Sequence, residues 1–399
     1  MTIDLVPRNS YIERVLPFID QKIIKVFTGQ RRVGKSYLIF QIMNFVLENN
    51  KKAQVIYINK EDLAFSSIKT AQQLYDYVQL NKKNDKKNYV FIDEIQEISE
   101  FENALRSLLL DDNLDIYCTG SNADLLSKDI AGKLSGRCLE IVVYSLSYSE
   151  FLLFHKLENT TFSLEKYMKY GGLPYLKNLE LKDEIVFEYL KNIYNTIVYR
   201  DVVSRYSLRN SPFLEQLILF LASNTGSIFS AKKISDFLKS QQVKIAPNQV
   251  QVYLSYLINA FIIHQASRYD LVGKRLFEIG EKYYFENLGI RHSVWGFRPQ
   301  DKAKIIENAV FNHLLFKNNQ VKIGVLHDSE IDFIAEKNGE KHYYQVALSI
   351  NEQQTIDREF GNLLKIKDNY PKTVITFDAF KGNTFEGITC IDLKSFLSN

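Results

Sequence analysis

The sequence predicts an α/β protein, with a parallel sheet flanked by helices at its N-terminal side and further helical and mixed units behind it. Over residues 1–150, short β-branched and aromatic runs alternate with helix-period segments, the pattern of a sheet covered on both faces. One strand-to-helix junction carries Gly29-Gln30-Arg31-Arg32-Val33-Gly34-Lys35-Ser36, with the G-x-x-x-x-G-K-[ST] spacing. From Ser149 to about Tyr206 the alternation gives way to helical patterning.

The strand candidates are Ile23–Phe27, Val55–Ile58, Val90–Ile92, Ile116–Cys118 and Ile141–Tyr144. The glycine run follows the first of them and opens a helix at Tyr37, which is the context a phosphate cradle requires. Its glycines allow a tight turn and close approach of an anion, and N–H groups at the helix start point toward it. Gly29, Gln30, Arg31, Arg32, Val33, Gly34, Lys35, Ser36 and Tyr37 are therefore the expected nucleotide contacts. Lys35 is expected at the β- and γ-phosphates and Ser36 on Mg²⁺.

The strand Tyr89–Ile92 ends in Asp93-Glu94, preceded by the charged run Asn81–Asn88, which reads as a solvated loop. Asp93 is placed to hold Mg²⁺. Glu94 is placed to orient or deprotonate the attacking water, its plainer reading being a first-turn helix carboxylate. After the next strand, Leu114–Gly120, come Ser121 and Asn122. Polar residues at that strand end lie where ligands bind in open α/β sheets, so Asn122 is a candidate for the γ-phosphate or the water; a turn needing small polar residues explains it equally.

These segments, with Leu134-Ser135-Gly136-Arg137, resemble the AAA-type P-loop ATPases of bacteria and archaea. In particular they are similar to a family that couples such an ATPase to a long C-terminal region of unassigned function. Leu146–Phe151, Tyr170–Pro174, Tyr199–Val202, Lys282-Tyr283-Tyr284 and Arg358-Glu359-Phe360 extend the likeness along most of the chain. The resemblance implies ATP and Mg²⁺ as ligands, and ATP hydrolysis. It also implies an arginine that neutralises transition-state charge, often supplied by a neighbouring subunit. Arg137 is the candidate; a surface arginine or a partner of Asp129 or Glu140 is the alternative, and Arg31 and Arg32 are competing cations. A trans-acting arginine would require a homo-oligomer.

Residues 210–280 read as three helices and a ribbon, a winged-helix order: Phe213–Ala222, Ala231–Leu238 with Ser230 as N-cap, Asn248–Ala260 with Pro247 at its first position, then Phe261–Tyr269 and Arg275–Ile279. Lys232, Lys233, Lys244, Lys274 and Arg275 are expected to meet the backbone of double-stranded DNA, and Asn248 and Gln249 its base edges. A protein-contact module with solvated lysines is the alternative.

Further on, the helix Ile305–Phe316 with Glu307 precedes the strands Glu330–Ala335 and Tyr343–Ala347. This is similar to a PD-(D/E)xK nuclease core, except that Gln345-Val346-Ala347 stands where Glu-x-Lys belongs. An amide is a poor ligand for a hard cation and alanine has no ammonium, so a small α/β nuclease-like domain without cleavage is expected, although Glu307 and Asp332 could still hold a metal. The expected domains are thus 1–150 (ATPase), 151–206 (helical lid or linker), 207–298 (winged helix) and 299–399 (nuclease-like).

The chain has 399 residues, 46% of them hydrophobic, and a net charge of +3, too small by itself to argue for nucleic acid. Cys118, Cys138 and Cys390 show neither disulfide nor metal spacing. Met1–Arg8 lacks the shape of a signal peptide, and no apolar run is long enough to span a membrane, so a cytoplasmic protein is expected. The expected function is ATP hydrolysis driving a conformational change of the C-terminal module, possible partners being DNA and further copies of the chain. A slow ATP-dependent switch and an ATP-gated nuclease are the rival expectations.

Overall fold

The computed structural model describes residues 5–126, 132, 134, 136–273, 280–327, 329–350, 353–378 and 384–399. The chain forms two compact units: residues up to Tyr144 with Asn259–Phe261, and Ser145–Ile258 with Ile262–Asn399.

In the first unit β1 (Ile24–Thr28), β2 (Ala53–Asn59), β3 (Lys87–Asp93), β4 (Leu114–Gly120) and β5 (Cys138–Val142) form one sheet in the order β2-β3-β4-β1-β5. Every neighbouring pair is parallel. Ile24 and Val26 of β1, Val90 and Ile92 of β3 and Ile116 and Cys118 of β4 share a core with Leu74 and Val78 of the helix Ala71–Asn81 and Leu105 and Leu108 of the helix Phe101–Leu108. Each such side chain contributes about 1.5–3 kcal/mol relative to exposure.

The charged run 81–88 is only partly a loop, because Lys87 and Asn88 already belong to β3. Asn88 is buried and organises what precedes it: its Nδ2 donates to the carbonyls of Lys83 and Lys86, both at 2.9 Å, and its Oδ1 accepts from the Lys83 N–H at 2.9 Å.

Lys25 and Asp115 form an ion pair inside the sheet, their side chains 0% and 1% exposed. Burial pulls the Lys25 ammonium below its ordinary value even with Asp115 beside it. Asp115 also accepts from the Tyr117 hydroxyl at 2.7 Å and the Asp20 N–H at 2.9 Å, and Asp20 accepts from Tyr89 at 2.8 Å. This network joins β1, β3 and β4 at the end of the sheet away from the glycine loop.

In the second unit the helix Asp183–Thr196 runs on into a π-helical stretch, Ile197–Ser204. The helices Ser211–Ser223, Ala231–Ser240 and Pro247–Asn259 follow in the predicted order. Ser230 caps the second, accepting from the Lys233 N–H at 3.2 Å, and Pro247 opens the third. The short strand β6 (Ile228–Phe229) lies between the first two helices, and β7 (Ile263–Asp270) follows the third. The predicted second ribbon strand, Arg275–Ile279, lies outside the described residues; β7 pairs instead with β8 (Glu281–Phe285), which also pairs with β6. Then come the helices Leu288–Trp295 and Lys302–Phe316, β9 (Gln320–Leu326), β10 (Ser329–Lys337), β11 (Glu340–Ala347), the helix Gln353–Leu364, β12 (Lys372–Thr376), β13 (Thr384–Phe385), β14 (Ile388–Asp392) and the helix Leu393–Ser398.

All nine strands make one mixed sheet in the order β13-β14-β12-β11-β10-β9-β7-β8-β6. Parallel pairing of β7 with β9, Arg268 opposite Ile323, makes the sheet continuous across residue 298, where the sequence suggested a boundary.

Asp115→Ala is expected to cost about 3–5 kcal/mol in urea unfolding, because it strands the Lys25 ammonium in the core. The double substitution Lys25→Met/Asp115→Leu is expected to recover most of that loss.

Candidate nucleotide-binding site

The glycine loop leaves the C-terminal end of β1 and enters the helix Lys35–Asn49. Gly29 has φ +144°, and a Cβ there would lie 2.1 Å from the Val143 carbonyl oxygen, so only glycine fits. Gly34, at φ +95°, caps the helix from the left-handed region. Gln30, Arg31 and Val33 are buried, while Arg32 and Tyr37 are exposed. Arg31 reaches Glu61 at 3.1 Å. Lys35, 5% exposed, donates to the carbonyls of Gly29 and Gln30, both at 2.9 Å, so the loop already encloses its ammonium. The Gln30 amide donates to the carbonyl of Phe261 at 2.7 Å, within the same unit.

At the end of β3, Asp93 accepts from the hydroxyls of Thr119 and Ser36 and, at 3.4 Å, from Tyr57. Burial raises Asp93 above the usual carboxylate range in spite of the Ser36 and Thr119 hydrogen bonds, and the charge of Glu94 adds to the rise. Glu94 adopts a left-handed backbone, φ +56°, and its N–H donates to Thr119 Oγ1 at 3.0 Å. Burial would raise Glu94 as well, but the charges of Lys35 and Arg31 and hydrogen bonds from Gln96 and Ser121 outweigh it and hold the carboxyl below its ordinary value. Gln96 Nε2 donates to Glu94 and, at 3.4 Å, to Ser121. Gln96 Oε1 is buried with no hydrogen-bond partner among the described residues. Asn122 is buried just beyond the end of β4.

The fold thus brings Lys35, Ser36, Asp93 and Glu94 to one end of three adjacent strands. Arg137 is elsewhere. It is exposed, it precedes β5, and its carbonyl accepts from the Ile24 N–H at 2.9 Å, at the start of β1. A strand of this length separates the two ends of β1 by roughly 13 Å or more.

Sequence reading missed four residues that shape the site. Thr119 and Gln96 had a signal, as polar residues at or just past strand ends. Tyr57 had none. Nor did Arg8, buried outside any motif: its guanidinium donates to the Val33 carbonyl at 2.9 Å and the Tyr144 carbonyl at 3.0 Å, and lies 4.5 Å from the Tyr11 ring centre. It braces the back of the glycine loop.

The cradle leaves no room for a Cβ at Gly29, the buried ammonium faces inward, and Ser36 and Asp93 offer adjacent hard oxygen donors, one of them a carboxylate whose burial outweighs the charge of Lys35. The residues fit Mg²⁺ and a nucleotide.

In the second unit Glu307, Glu330 and Asp332 meet around Lys282 of β8. The Lys282 ammonium, 5% exposed, lies 2.9 Å from Glu307 and 2.6 Å from Glu330. Burial would lower its pKa, but Glu307, Asp332 and Glu330 raise it above the ordinary lysine value. Tyr284 donates to Glu307 at 2.7 Å, and Gln345 accepts from the Asp332 N–H at 3.1 Å. Burial, with the charge of Glu307, raises Asp332 well above the carboxylate range. No group of three or more His, Cys, Asp or Glu suited to a metal ion occurs among the described residues. His342 is half-buried against Thr373, at 2.7 Å.

Lys232, Lys233, Lys244, Asn248 and Gln249 are all exposed. Lys274 and Arg275 lie outside the described residues.

Fold and site together define an AAA-type P-loop ATPase, and comparison with known proteins agrees. Residues 21–152 match the AAA domain (AAA_14), and residues 161–301 match a domain of unknown function, DUF8612. An uncharacterized protein of Haemophilus influenzae is 35% identical over 400 residues, covering 98% of each chain. Another, from Methanocaldococcus jannaschii, is 31% identical over 402 residues, covering 94% of this chain and 86% of its own. The chain belongs to the family these proteins share. Among solved structures, a Walker-type ATPase of Pyrococcus abyssi is similar in fold, with a TM-score of 0.50 at 16% identity, over 73% of this chain and 95% of that one. No helix among the described residues is long and apolar enough to cross a membrane.

Because the fold disfavours ionised Asp93, its charge destabilises the nucleotide-free protein at neutral pH, and the cost disappears below the ordinary carboxylate pKa. Asp93→Asn is therefore expected to raise Tm at neutral pH while leaving Tm unchanged in acid. Thermal unfolding across the acid-to-neutral range checks the sign.

Proposed function

We propose that the protein hydrolyses ATP with Mg²⁺ and uses the cycle to move its winged-helix and nuclease-like region, which contacts duplex DNA. The observation that carries this reading is the convergence of Lys35, Ser36, Asp93 and Glu94 at the ends of β1 and β3. Lys35 exchanges its two loop carbonyls for the β- and γ-phosphates. Ser36 and Asp93 would hold Mg²⁺, which supplies charge neutralisation across those phosphates. Glu94, ionised, accepts a hydrogen bond from the attacking water and takes its proton as the new P–O bond forms and the bond from the γ-phosphorus to the bridging oxygen breaks, with ADP leaving. Gln96 Oε1 offers the same water a second acceptor. Asn122 is assigned to orient the water or the γ-phosphate. Arg137, given its place before β5 and beside the start of β1, acts only on a neighbouring copy's nucleotide.

What supports coupling is Gln30. Its carbonyl holds Lys35 and its side chain holds Phe261, in the turn between the helix Pro247–Asn259 and β7. Withdrawal of the ammonium toward phosphate changes the residue on which that turn rests. The exposed Lys232, Lys233, Lys244, Asn248 and Gln249 support DNA as the partner. Phe237 and Val252, 46% and 43% exposed on the same helices, support a protein partner instead. Lys282 neutralises the carboxylates that a nuclease would give to a metal, so this reading includes no cleavage.

Glu94→Gln is expected to bind ATP yet lose turnover by about 10²-fold or more, and Lys35→Ala to lose both. Duplex DNA is expected to raise wild-type turnover, and Lys232→Glu/Lys233→Glu to remove that response and leave basal turnover. Turnover indifferent to DNA sinks the DNA assignment, a burst followed by negligible turnover favours the slow switch, and Mg²⁺-dependent cutting of the DNA overturns the inactive-nuclease reading.

A further inference from the structure

A cleft of about 580 Å³ opens in the second unit between the helix Thr161–Tyr170 and the segment 297–305. Its floor is apolar: Met168, Tyr170 and Ile305 are 3%, 5% and 2% exposed. Two phenyl rings stand at its mouth, Phe162 at 63% exposure and Phe297 at 42%. Around them are four cations, Lys166, Lys169, Arg298 and Lys302, and one carboxylate, Glu165. Lys169 is answered by Asp183 at 2.7 Å.

The other three cations are not answered. Among the described residues no carboxylate pairs with Lys166, Arg298 or Lys302. Each rests on an aromatic ring instead: Lys166 4.4 Å from the centre of Phe162, Arg298 3.8 Å from Trp295, and Lys302 3.6 Å from Phe377. A ring holds a cation in place without neutralising it, so its full charge stays available to an incoming anion. Exposed phenyl groups beside an apolar floor are, in turn, surface that a partner gains by covering.

We propose that this cleft binds an acidic peptide segment of a partner protein, with an apolar side chain seated on the floor and flanking carboxylates on Lys166, Arg298 and Lys302. Charge complementarity selects the acidic flanks. The floor selects a peptide over a nucleic acid strand: methionine and isoleucine accept an aliphatic or aromatic side chain and adapt to its shape, whereas bases require flat open rings. Here a face of Phe162 is already taken by Lys166. The site is separate from Lys232, Lys233 and Lys244 and does not depend on DNA binding there.

The chain has a single tryptophan, Trp295, directly beneath Arg298, so its emission reports on the cleft. A short synthetic peptide rich in Glu with a Leu and a Phe one helical turn apart is titrated into the full chain, read by Trp295 emission and by anisotropy of the labelled peptide. Saturable binding with a Kd on the order of micromolar is expected. Replacing the peptide's Leu and Phe by Ser is expected to weaken binding by about tenfold or more, as is Lys166→Glu/Lys302→Glu in the protein. Binding that ignores the anchor residues, no binding, or saturation by a single-stranded oligonucleotide in place of the peptide would each overturn the proposal.

Discussion

The Thr119 hydroxyl is the point on which the nucleotide-site end of the sheet depends. It donates to Asp93 and accepts from the N–H of Glu94, so one side chain of β4 holds the Asp93 carboxylate at the end of β3 and the backbone of the residue after it. The parallel register makes this possible, since Ile92 opposite Cys118 brings the next residue of each strand together. Holding Glu94 in the left-handed region costs about 1–3 kcal/mol, and the hydrogen bond to Thr119 offsets part of it. Two strands away, Gly29 packs against Val143 and Arg8 clamps Val33, so the loop and the carboxylates are set independently and meet at Ser36 and Asp93.

The electrostatics divide the two carboxylates. Asp93 is raised by burial, which the Ser36 and Thr119 hydrogen bonds and the charge of Lys35 do not offset, and that suits a ligand for Mg²⁺. Glu94 is lowered because Lys35 and Arg31 outweigh its burial, which keeps it ionised and able to accept from water. Adjacent residues thus take different roles because different neighbours face them.

Much of this was legible in the sequence. The spacing Gly29–Ser36, the five strand runs and the apolar strand ending in Asp93-Glu94 are local patterns, and locality is what a sequence displays. What was hidden depends on register. Thr119 lay in a strand already recognised, but nothing local says that it faces Asp93. Arg8 meets Val33 and Tyr144 only after folding. Lys282 reaches Glu307 and Glu330 because β8 sits in the same sheet as β10, and the sequence read their segments as belonging to separate domains. Arg137 stood in a suggestive turn, yet its backbone bond to Ile24 puts it at the opposite end of β1 from the loop.

The most direct test of the account is the turnover number of Thr119→Ala beside Thr119→Ser at saturating ATP and Mg²⁺. If Thr119 positions the Asp93 carboxylate and the backbone of Glu94, alanine lowers kcat by about 10²-fold while ATP binding changes little, and serine, which keeps the hydroxyl, restores most of the rate. Wild-type turnover in the alanine variant would contradict it.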